Sequence, residues 1–178
     1  MRPLIPLLLL VFALSACASG GAAGGAGAYV GGQVALECAP FARALSGLRL
    51  SGPAADWWWA AAGRYDRTSQ PETGSVLVFR RSERLRSGHV AVVSRVLSRR
   101  QILVTQANWV HHRVTEDQPV TDISSGNDWS LVRVWWPPGG TMGATAYPAF
   151  GFISPAAPTS HDRLVAATPR AIRIAAGQ

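Results

Sequence analysis

One cysteine lies where a helix is expected to begin, a setting that can turn a thiol into a nucleophile. Val34, Cys38 and Phe41 recur at helical spacing, and Pro40 fits a first helical turn. This pattern predicts a helix that starts near Cys38 and ends at Gly47. At such an N-terminus the helix dipole and unpaired backbone N–H groups lower the pKa of a thiol and can bind an oxyanion. The alternative is a buried, inert cysteine on the apolar stripe of that helix.

A nucleophilic cysteine needs a base, and His89 is the best placed of the four histidines. It follows Gly88 and opens the most strongly apolar strand pattern in the chain. His161 lies in the C-terminal tail, and His111 and His112 point to opposite faces of a strand that looks exposed. The alternative for His89 is a surface histidine at the edge of a strand.

A third polar side chain comes from the next strand along the chain. A short turn over residues 98–101 joins the two strands, and a loop of two or four residues pairs Val93 with Gln106. In that register Asn108 lies diagonal to His89 on the same face of the sheet, within reach to orient the imidazole. A loop of three residues would turn Asn108 away, and the alternative role for this residue is a turn former at the strand end.

The periodicity of the chain predicts an α+β fold, with N-terminal helices packed on an antiparallel β-sheet. Helical spacing covers residues 34–48 and 54–63, and Gly63 caps the second helix. Period-two alternation then predicts strands over residues 75–79, 89–97, 102–109, 110–115 and 129–135.

These elements define one domain over residues 33–136. Residues 137–178 are rich in Pro, Ala and Gly, which predicts a partly disordered C-terminal extension. Within it, residues 147–153 are apolar enough to pack back on the domain, and residues 155–178 are expected to be mobile.

Residues 1–17 have the pattern of a bacterial lipoprotein signal peptide. Arg2 precedes an apolar stretch over residues 4–14, which is short for a transmembrane helix. The stretch leads to Leu-Ser-Ala-Cys ending at Cys17, which resembles a lipobox, where a peptidase cuts before a cysteine that carries a lipid. The alternative is ordinary signal cleavage, with Cys17 incidental.

Lipidation of Cys17 predicts a membrane-anchored protein of the outer membrane that faces the periplasm, since Ala18 and Ser19 follow the cysteine rather than Asp. Residues 18–32 then form a flexible Gly/Ala tether between the lipid anchor and the domain. Cys38 is the remaining thiol, so no disulfide within the mature chain is expected.

Taken together, these motifs resemble the CHAP family of cysteine, histidine-dependent amidohydrolases and peptidases. The resemblance extends over residues 29–136, and its last strand is similar to that of proteobacterial members. It rests on five segments, residues 37–43, 71–79, 88–93, 106–109 and 127–135. It implies a papain-like fold of the NlpC/P60 type and an enzyme that cleaves an amide bond in peptidoglycan.

The resemblance also implies a role for each polar side chain. On this basis Cys38 acts as the nucleophile, His89 as the base and then the acid, and Asn108 as the residue that orients the imidazole. The backbone N–H of Cys38 would stabilise the oxyanion. The bond cleaved is either the muramoyl-L-alanine amide or a bond of the stem peptide.

The chain departs from the family pattern at two positions. Glu37 stands where many relatives have Gln, and its charge disfavours a neighbouring thiolate. Gln106 stands where some have Glu, and a neutral amide can orient an imidazole but cannot stabilise imidazolium by charge. Two alternatives therefore stay open: an NlpC/P60-like endopeptidase of stem peptides, and a lipoprotein that binds peptidoglycan with little or no catalysis.

Aromatic residues near these positions are candidates for substrate contact. Trp57, Trp58 and Trp59 are consecutive, so at least one of them faces away from the core of the domain. We expect Trp58 to wall the substrate cleft, and Gln106 and Trp109 to contact substrate beside the catalytic side chains.

The composition excludes several other classes of protein. Seven tryptophans and several apolar runs exclude a disordered chain. The 17 basic residues are all Arg and outnumber 10 acidic residues, but they are scattered, which favours anionic lipid or peptide carboxylates over nucleic acid. No metal-ligand spacing and no phosphate-binding glycine loop occur, so we expect no metal and no cofactor. The sequence does not identify a regulatory protein partner.

Overall fold

The computed structural model describes residues 26–177. Its strands are β1 (Ala28–Val30), β2 (Asp66–Thr68), β3 (Val76–Phe79), β4 (His89–Ser98), β5 (Gln101–Ala107), β6 (Val114–Asp122), β7 (Leu131–Trp136), β8 (Thr141–Met142) and β9 (Tyr147–Ser154). Its helices are α1 (Cys38–Ser46), α2 (Trp57–Ala60) and α3 (His161–Ala175), with 3-10 turns at Ala54–Asp56 and Pro137–Gly139. The predicted signal peptide, Cys17 and residues 18–25 of the predicted tether lie outside the described residues. Within residues 26–177, no helix has the length and apolar character needed to cross a membrane.

Six antiparallel strands close into a β-barrel in the order β3, β4, β5, β6, β7 and β9, and β9 pairs back to β3. The closing strand β9 pairs with β7 through Tyr147 and Pro148, and with β3 between Ala149 and Ile153. The short strands β1, β2 and β8 extend the sheet beside β6, β9 and β7.

The barrel has apolar side chains on both of its faces. One cluster, which includes Leu77, Val104 and Phe152, draws on the six barrel strands and fills the interior. The alternate residues of β3 and β4 face outward and pack against α1 and the first 3-10 turn. Strand β3 is therefore wholly buried, which explains why its four residues read as one continuous apolar run.

Helix α1 lies on the outer face of β4 and β5, and α3 packs against α1. The last turn of α1 ends at Gly47, which adopts a φ of +78° and donates its N–H to the carbonyl of Arg43. Helix α3 begins after Ser160, whose side chain accepts a hydrogen bond from the N–H of Arg163. This packing holds the N-terminus of α1, and with it Cys38, over the start of β4.

The predicted α+β, papain-like fold, with N-terminal helices packed on an antiparallel β-sheet, is wrong. The structure is mostly β, built around a closed six-stranded barrel with three helices in the described residues. The strand that closes the barrel, β9, comes from the segment that the sequence predicted as a partly disordered extension. Pro148 and Gly151 within β9 are residues that weaken a strand signal, and helix α3 follows in the stretch expected to be mobile.

The prediction for single elements is confirmed for most of the domain and wrong for one strand. Strands β3, β4, β5 and β7 begin and end within two residues of their expected bounds. Helix α1 also ends within two residues of its expected bound, but residues 34–37 precede it. The predicted strand over residues 110–115 is wrong, since residues 108–113 turn back on themselves and β6 begins at Val114. Strand β1 also falls within the predicted tether.

We expect Phe152→Ala to lower the free energy of unfolding by about 3–5 kcal/mol, as for other buried phenylalanines. The Phe152 side chain is fully buried inside the barrel, so its removal leaves a cavity where β9 meets β3. Urea denaturation measures the change. Leu97→Ala, at a position that is 52% exposed on β4, is the matched control and should cost little. A loss below about 1 kcal/mol for Phe152→Ala would mean that β9 is not part of the cooperative core.

Candidate active site

Cys38 is the first residue of α1, and the helix presents its N-terminus to a surface cleft. The preceding residue, Glu37, has extended backbone angles, and Pro40 lies in the first turn where a missing N–H costs nothing. Phe41 and Leu45 bury the opposite side of the helix in the core. The thiol is half-buried, and it lies at a helix N-terminus, where the first-turn N–H groups have no partner within the helix.

His89 is the first residue of β4 and is only 4% exposed. The preceding Gly88 has a φ of +73° and lies against the 3-10 turn, where an added Cβ would be 2.5 Å from the Cβ of Ala55. The amide N–H of Ala55 donates to the carbonyl of Ser87 at 3.0 Å, which fixes this approach. Only glycine fits at position 88, so the Gly-His pair sets where the imidazole enters the barrel.

The Cys38 thiol and the His89 imidazole form a coupled pair. Burial raises the pKa of Cys38, but the charge of His89 and hydrogen bonds with His89 and the backbone of Val90 outweigh it, so the pKa lies below that of an ordinary thiol. Burial lowers the pKa of His89, but the charge and hydrogen bond of Cys38, the bond to Gln106 and the charge of Glu37 raise it above its usual value. Both directions favour a thiolate–imidazolium pair.

A buried chain of hydrogen bonds leads from His89 across the barrel interior. His89 Nε2 lies 2.7 Å from Gln106 Oε1, and Gln106 Nε2 donates to Gln118 Oε1 at 2.9 Å. Gln118 Nε2 donates to the carbonyl of Trp135 at 2.6 Å, and the Thr115 hydroxyl also donates to Gln118 Oε1. The backbone carbonyl of Trp135 can only accept a hydrogen bond, so Gln118 must donate to it through Nε2. This fixes the orientation of both side-chain amides, and Gln106 therefore presents its acceptor, Oε1, to His89. The Nε2 proton of His89 is therefore fixed, which leaves Nδ1 for the thiol.

Strand register explains why Gln106 reaches His89. The turn between β4 and β5 has two residues, as one of the predicted registers requires, but two irregularities follow it. Val93 consequently pairs with Val104, and the predicted pairing of Val93 with Gln106 is wrong. A total shift of two residues keeps every side chain on its original face, so Gln106 stays on the face of His89.

Asn108 lies just beyond β5 with a φ of +61°, and its side chain bonds elsewhere than predicted. Its Nδ2 donates to Glu37 Oε2 at 3.2 Å, and its Oδ1 accepts from the backbone N–H of His112 at 3.1 Å. The structure thus gives Asn108 a bond to Glu37, the residue before Cys38, in place of the expected bond to His89.

The cleft around Cys38 and His89 has a volume of about 620 Å³. Glu37, Asn108 and the 3-10 turn line one part of it, and the loop over residues 83–87 lines another. Arg84 and Arg86 of that loop are exposed, and neither forms an ion pair with any described residue. In the described part of the chain, no group of three or more His, Cys, Asp or Glu side chains is placed to hold a metal ion.

Residues 27–108 match the family model described as the CHAP domain. This segment belongs to the CHAP domain family. CHAP domains are hydrolases of the amidase or peptidase type that act on peptidoglycan. No curated protein matches the chain.

The CHAP match contains Cys38, His89 and Gln106, but the structural support for them extends beyond it. Gln118, which orients Gln106, lies in β6, and the closing strand β9 lies further along. Sequence reasoning missed Gln118, because an isolated Gln among acidic and polar residues of β6 looks like a solvent-facing strand position. Its burial follows from barrel closure, which no local pattern indicated.

The two tryptophans predicted to contact substrate lie in different places. Trp58 stacks on Phe150 with ring centroids 5.6 Å apart and does not line the cleft of the CHAP domain. Trp109 packs beside the site, with its ring 5.1 Å from that of His89 and 5.0 Å from that of Tyr147. The structure therefore brings Cys38, His89, Gln106 and Trp109 together, and leaves Trp58 apart.

We expect the alkylation rate of Cys38 by iodoacetamide to rise at a pH below the range of an ordinary thiol. The lowered pKa of Cys38 extends the thiolate form to lower pH than in an ordinary thiol, and the imidazolium supports it until the pH passes the raised pKa of His89. In Gln106→Leu the pKa of His89 falls and that of Cys38 rises, so the profile moves to higher pH. The rate at neutral pH should drop about tenfold, because a hydrogen bond to a charged group contributes about 1.5–3 kcal/mol.

Asn108→Gly is the matched control for Gln106→Leu, since it keeps the positive φ and removes the bond to Glu37. It should move the alkylation profile much less, and thermal unfolding verifies that both variants fold. A larger shift in Asn108→Gly than in Gln106→Leu would assign the orienting role to Asn108 instead.

Proposed function

We propose that this protein is a cell-envelope cysteine amidase or peptidase that cleaves an amide bond of peptidoglycan through an acyl-enzyme on Cys38. The observation that carries the proposal is the Cys38–His89 pair, with the thiol at the N-terminus of α1 and both side chains lining one open cleft. A desolvated thiolate beside an imidazolium is the arrangement that nucleophilic attack on an amide requires.

In the first half of the reaction, Cys38 Sγ attacks the amide carbonyl carbon and forms a C–S bond. The carbonyl oxygen becomes an oxyanion, which backbone N–H groups at the start of α1 stabilise. His89 then donates its Nδ1 proton to the amide nitrogen as the C–N bond breaks, and the amine leaves. Cys38 remains as a thioester with the acyl group.

In the second half, neutral His89 accepts a proton from a water molecule that attacks the thioester carbonyl. The C–S bond breaks, the carboxylic acid product leaves and the Cys38–His89 ion pair is restored. Throughout the cycle Gln106 holds Nε2 as the donor, so the same ring nitrogen serves both proton transfers. In this proposal Gln106 takes the orienting role that the resemblance implied for Asn108.

Glu37 has two opposed electrostatic effects on the pair. Its charge raises the pKa of Cys38, which disfavours thiolate, and it also raises the pKa of His89, which favours imidazolium. It is the weakest of the influences on each group. The departure from Gln at this position is therefore compatible with catalysis, and the bond from Asn108 holds the carboxylate in place.

Two arginines in the cleft wall suit a peptidoglycan substrate. Arg84 and Arg86 offer guanidinium groups, which bind carboxylates through paired hydrogen bonds. The stem peptides of peptidoglycan carry such carboxylates. We further propose that Cys17 is lipidated and that residues 18–32 tether the domain to the outer membrane, which would put the cleft within reach of the wall.

Purified peptidoglycan incubated with the full chain should release soluble fragments, and mass spectrometry of these fragments identifies the bond. Cys38→Ala and His89→Ala should each abolish release, because one removes the nucleophile and the other its base. Trp59→Ala, at a residue 63% exposed on α2, is the control that should retain activity.

The outcome separates the alternatives. Free stem peptides indicate an amidase, and shortened stems on intact glycan indicate an endopeptidase of the NlpC/P60 kind. Retained binding to peptidoglycan without turnover, together with slow alkylation of Cys38, would contradict the enzymatic function and favour a lipoprotein that only binds peptidoglycan.

Cys17→Ser should move the protein from the membrane fraction to the soluble fraction of cells that express it, and should abolish labelling by a radioactive fatty acid. The reason is that a diacylglycerol thioether at this position is the anchor we propose. Cys38→Ser is the matched control and should leave both readouts unchanged. Labelling that survives in Cys17→Ser would rule out this anchor.

A further inference from the structure

A second cavity, of about 380 Å³, lies at the same end of the barrel as the catalytic cleft. Its walls carry three aromatic side chains, Trp109, Trp136 and Tyr147, together with Met142. Arg84 also lines it, and no acidic side chain does. The cavity thus combines aromatic walls with one charged group, the guanidinium of Arg84, a composition typical of a small-ligand site.

This cavity adjoins the catalytic cleft. Arg84 lines both of them. Trp109 stands between the two, since its ring is 5.1 Å from that of His89 and 5.0 Å from that of Tyr147. A substrate with its reacting carbonyl at Cys38 can therefore extend past Trp109 into the second cavity.

The aromatic wall is preformed by the hairpin of β7 and β8. Trp136 pairs with Thr141 across this hairpin, and Gly139 lies under the indole, where an added Cβ would be 3.0 Å from Trp136 Cδ1. Gly143 donates its N–H to the carbonyl of Val134 at 3.0 Å and leaves no space for a side chain. Trp136 nevertheless remains 42% exposed, so a large apolar ring is held at the surface without an internal partner that covers it.

We infer that the second cavity binds a sugar ring of the glycan strand of peptidoglycan, an inference that rests on the proposed function. A pyranose presents apolar C–H faces that pack on indole and phenol rings, while its acetamido and hydroxyl oxygens accept hydrogen bonds. Arg84 supplies donors for such oxygens at the junction of the two cavities. A stem peptide, which is acidic and flexible, fits the arginines of the first cleft better than these aromatic walls.

The position of the sugar has a consequence for the bond that is cut. When a muramoyl ring occupies the second cavity, the first amide beyond the sugar, its own acetamido group apart, is the one that joins its lactyl group to the first residue of the stem peptide. Hydrolysis there adds water across that C–N bond, so the sugar keeps a carboxylate and the peptide leaves with a free amine. The inference therefore favours amidase over endopeptidase specificity.

Calorimetric titration of the full chain carrying Cys38→Ala with peptide-free oligosaccharides of N-acetylglucosamine and N-acetylmuramic acid tests the inference. We expect saturable binding that Trp136→Ala weakens at least about tenfold, as removal of a tryptophan anchor does in other sites. Trp59→Ala, which removes a more exposed tryptophan outside the cavity, should leave the affinity unchanged.

Absence of saturable binding, equal weakening by both substitutions, or displacement of the oligosaccharide by free stem peptide would overturn the inference. These results are distinct from failure of the proposed hydrolase. Release of peptidoglycan fragments without oligosaccharide binding removes the sugar site alone, whereas oligosaccharide binding without turnover removes the enzymatic function alone.

Discussion

A buried imidazolium has little water to stabilise its charge, and in the proposed mechanism His89 carries that charge while only 4% exposed. The protein compensates on opposite sides of the ring. Cys38 supplies the countercharge at the start of α1, and Gln106 supplies an acceptor from inside the barrel. The second of these depends on long-range structure, because the orientation of Gln106 is set by Gln118 and finally by a backbone carbonyl on β7. Four barrel strands thus take part in fixing one proton.

The same constraint explains the rigid geometry around the start of β4. Gly88 allows the 3-10 turn to approach within contact distance, so the imidazole cannot move along the strand without breaking that packing. On the other side, α3 covers α1 and holds the helix N-terminus against β4. Side chains that carry the proposed chemistry therefore come from two separate elements, and packing outside the CHAP match keeps those elements in register.

The sequence predicted Cys38 as the candidate nucleophile and His89 as the candidate base because each lies beside a strong local signal, Pro40 for a helix start and Gly88 for a strand start. It could not separate Gln106 from Asn108. Gln106 takes the place expected for Asn108 because two irregularities in the β4–β5 hairpin shift the register by two residues. The alternation of apolar and polar residues cannot reveal such a shift, since it leaves every side chain on the same face. Gln118 carries no sequence signal of its own. In a sequence, a glutamine that faces solvent cannot be told from one that makes hydrogen bonds inside a barrel.

The prediction of the fold class was wrong for a related reason. Barrel closure is a property of strands that are far apart in sequence, and β9 carries Pro148 and Gly151, which mask it as a strand. Gly151 is required there, because its φ is +127° and an added Cβ would lie 2.5 Å from the carbonyl of Thr68 on β2. Gly151 thus weakens the sequence signal for β9 and is also the residue that allows β2 to approach β9.

Closure also changes how neighbouring molecules can meet. In the described residues, the outer edges of the sheet are β1, β2 and β8, with three, three and two residues, while every longer strand is paired on both sides. Edges this short offer too few free N–H and C=O groups to template pairing with a second chain. Copies held close together at a surface would therefore meet through side chains rather than through backbone, and the domain resists the edge-to-edge aggregation to which open sheets are prone.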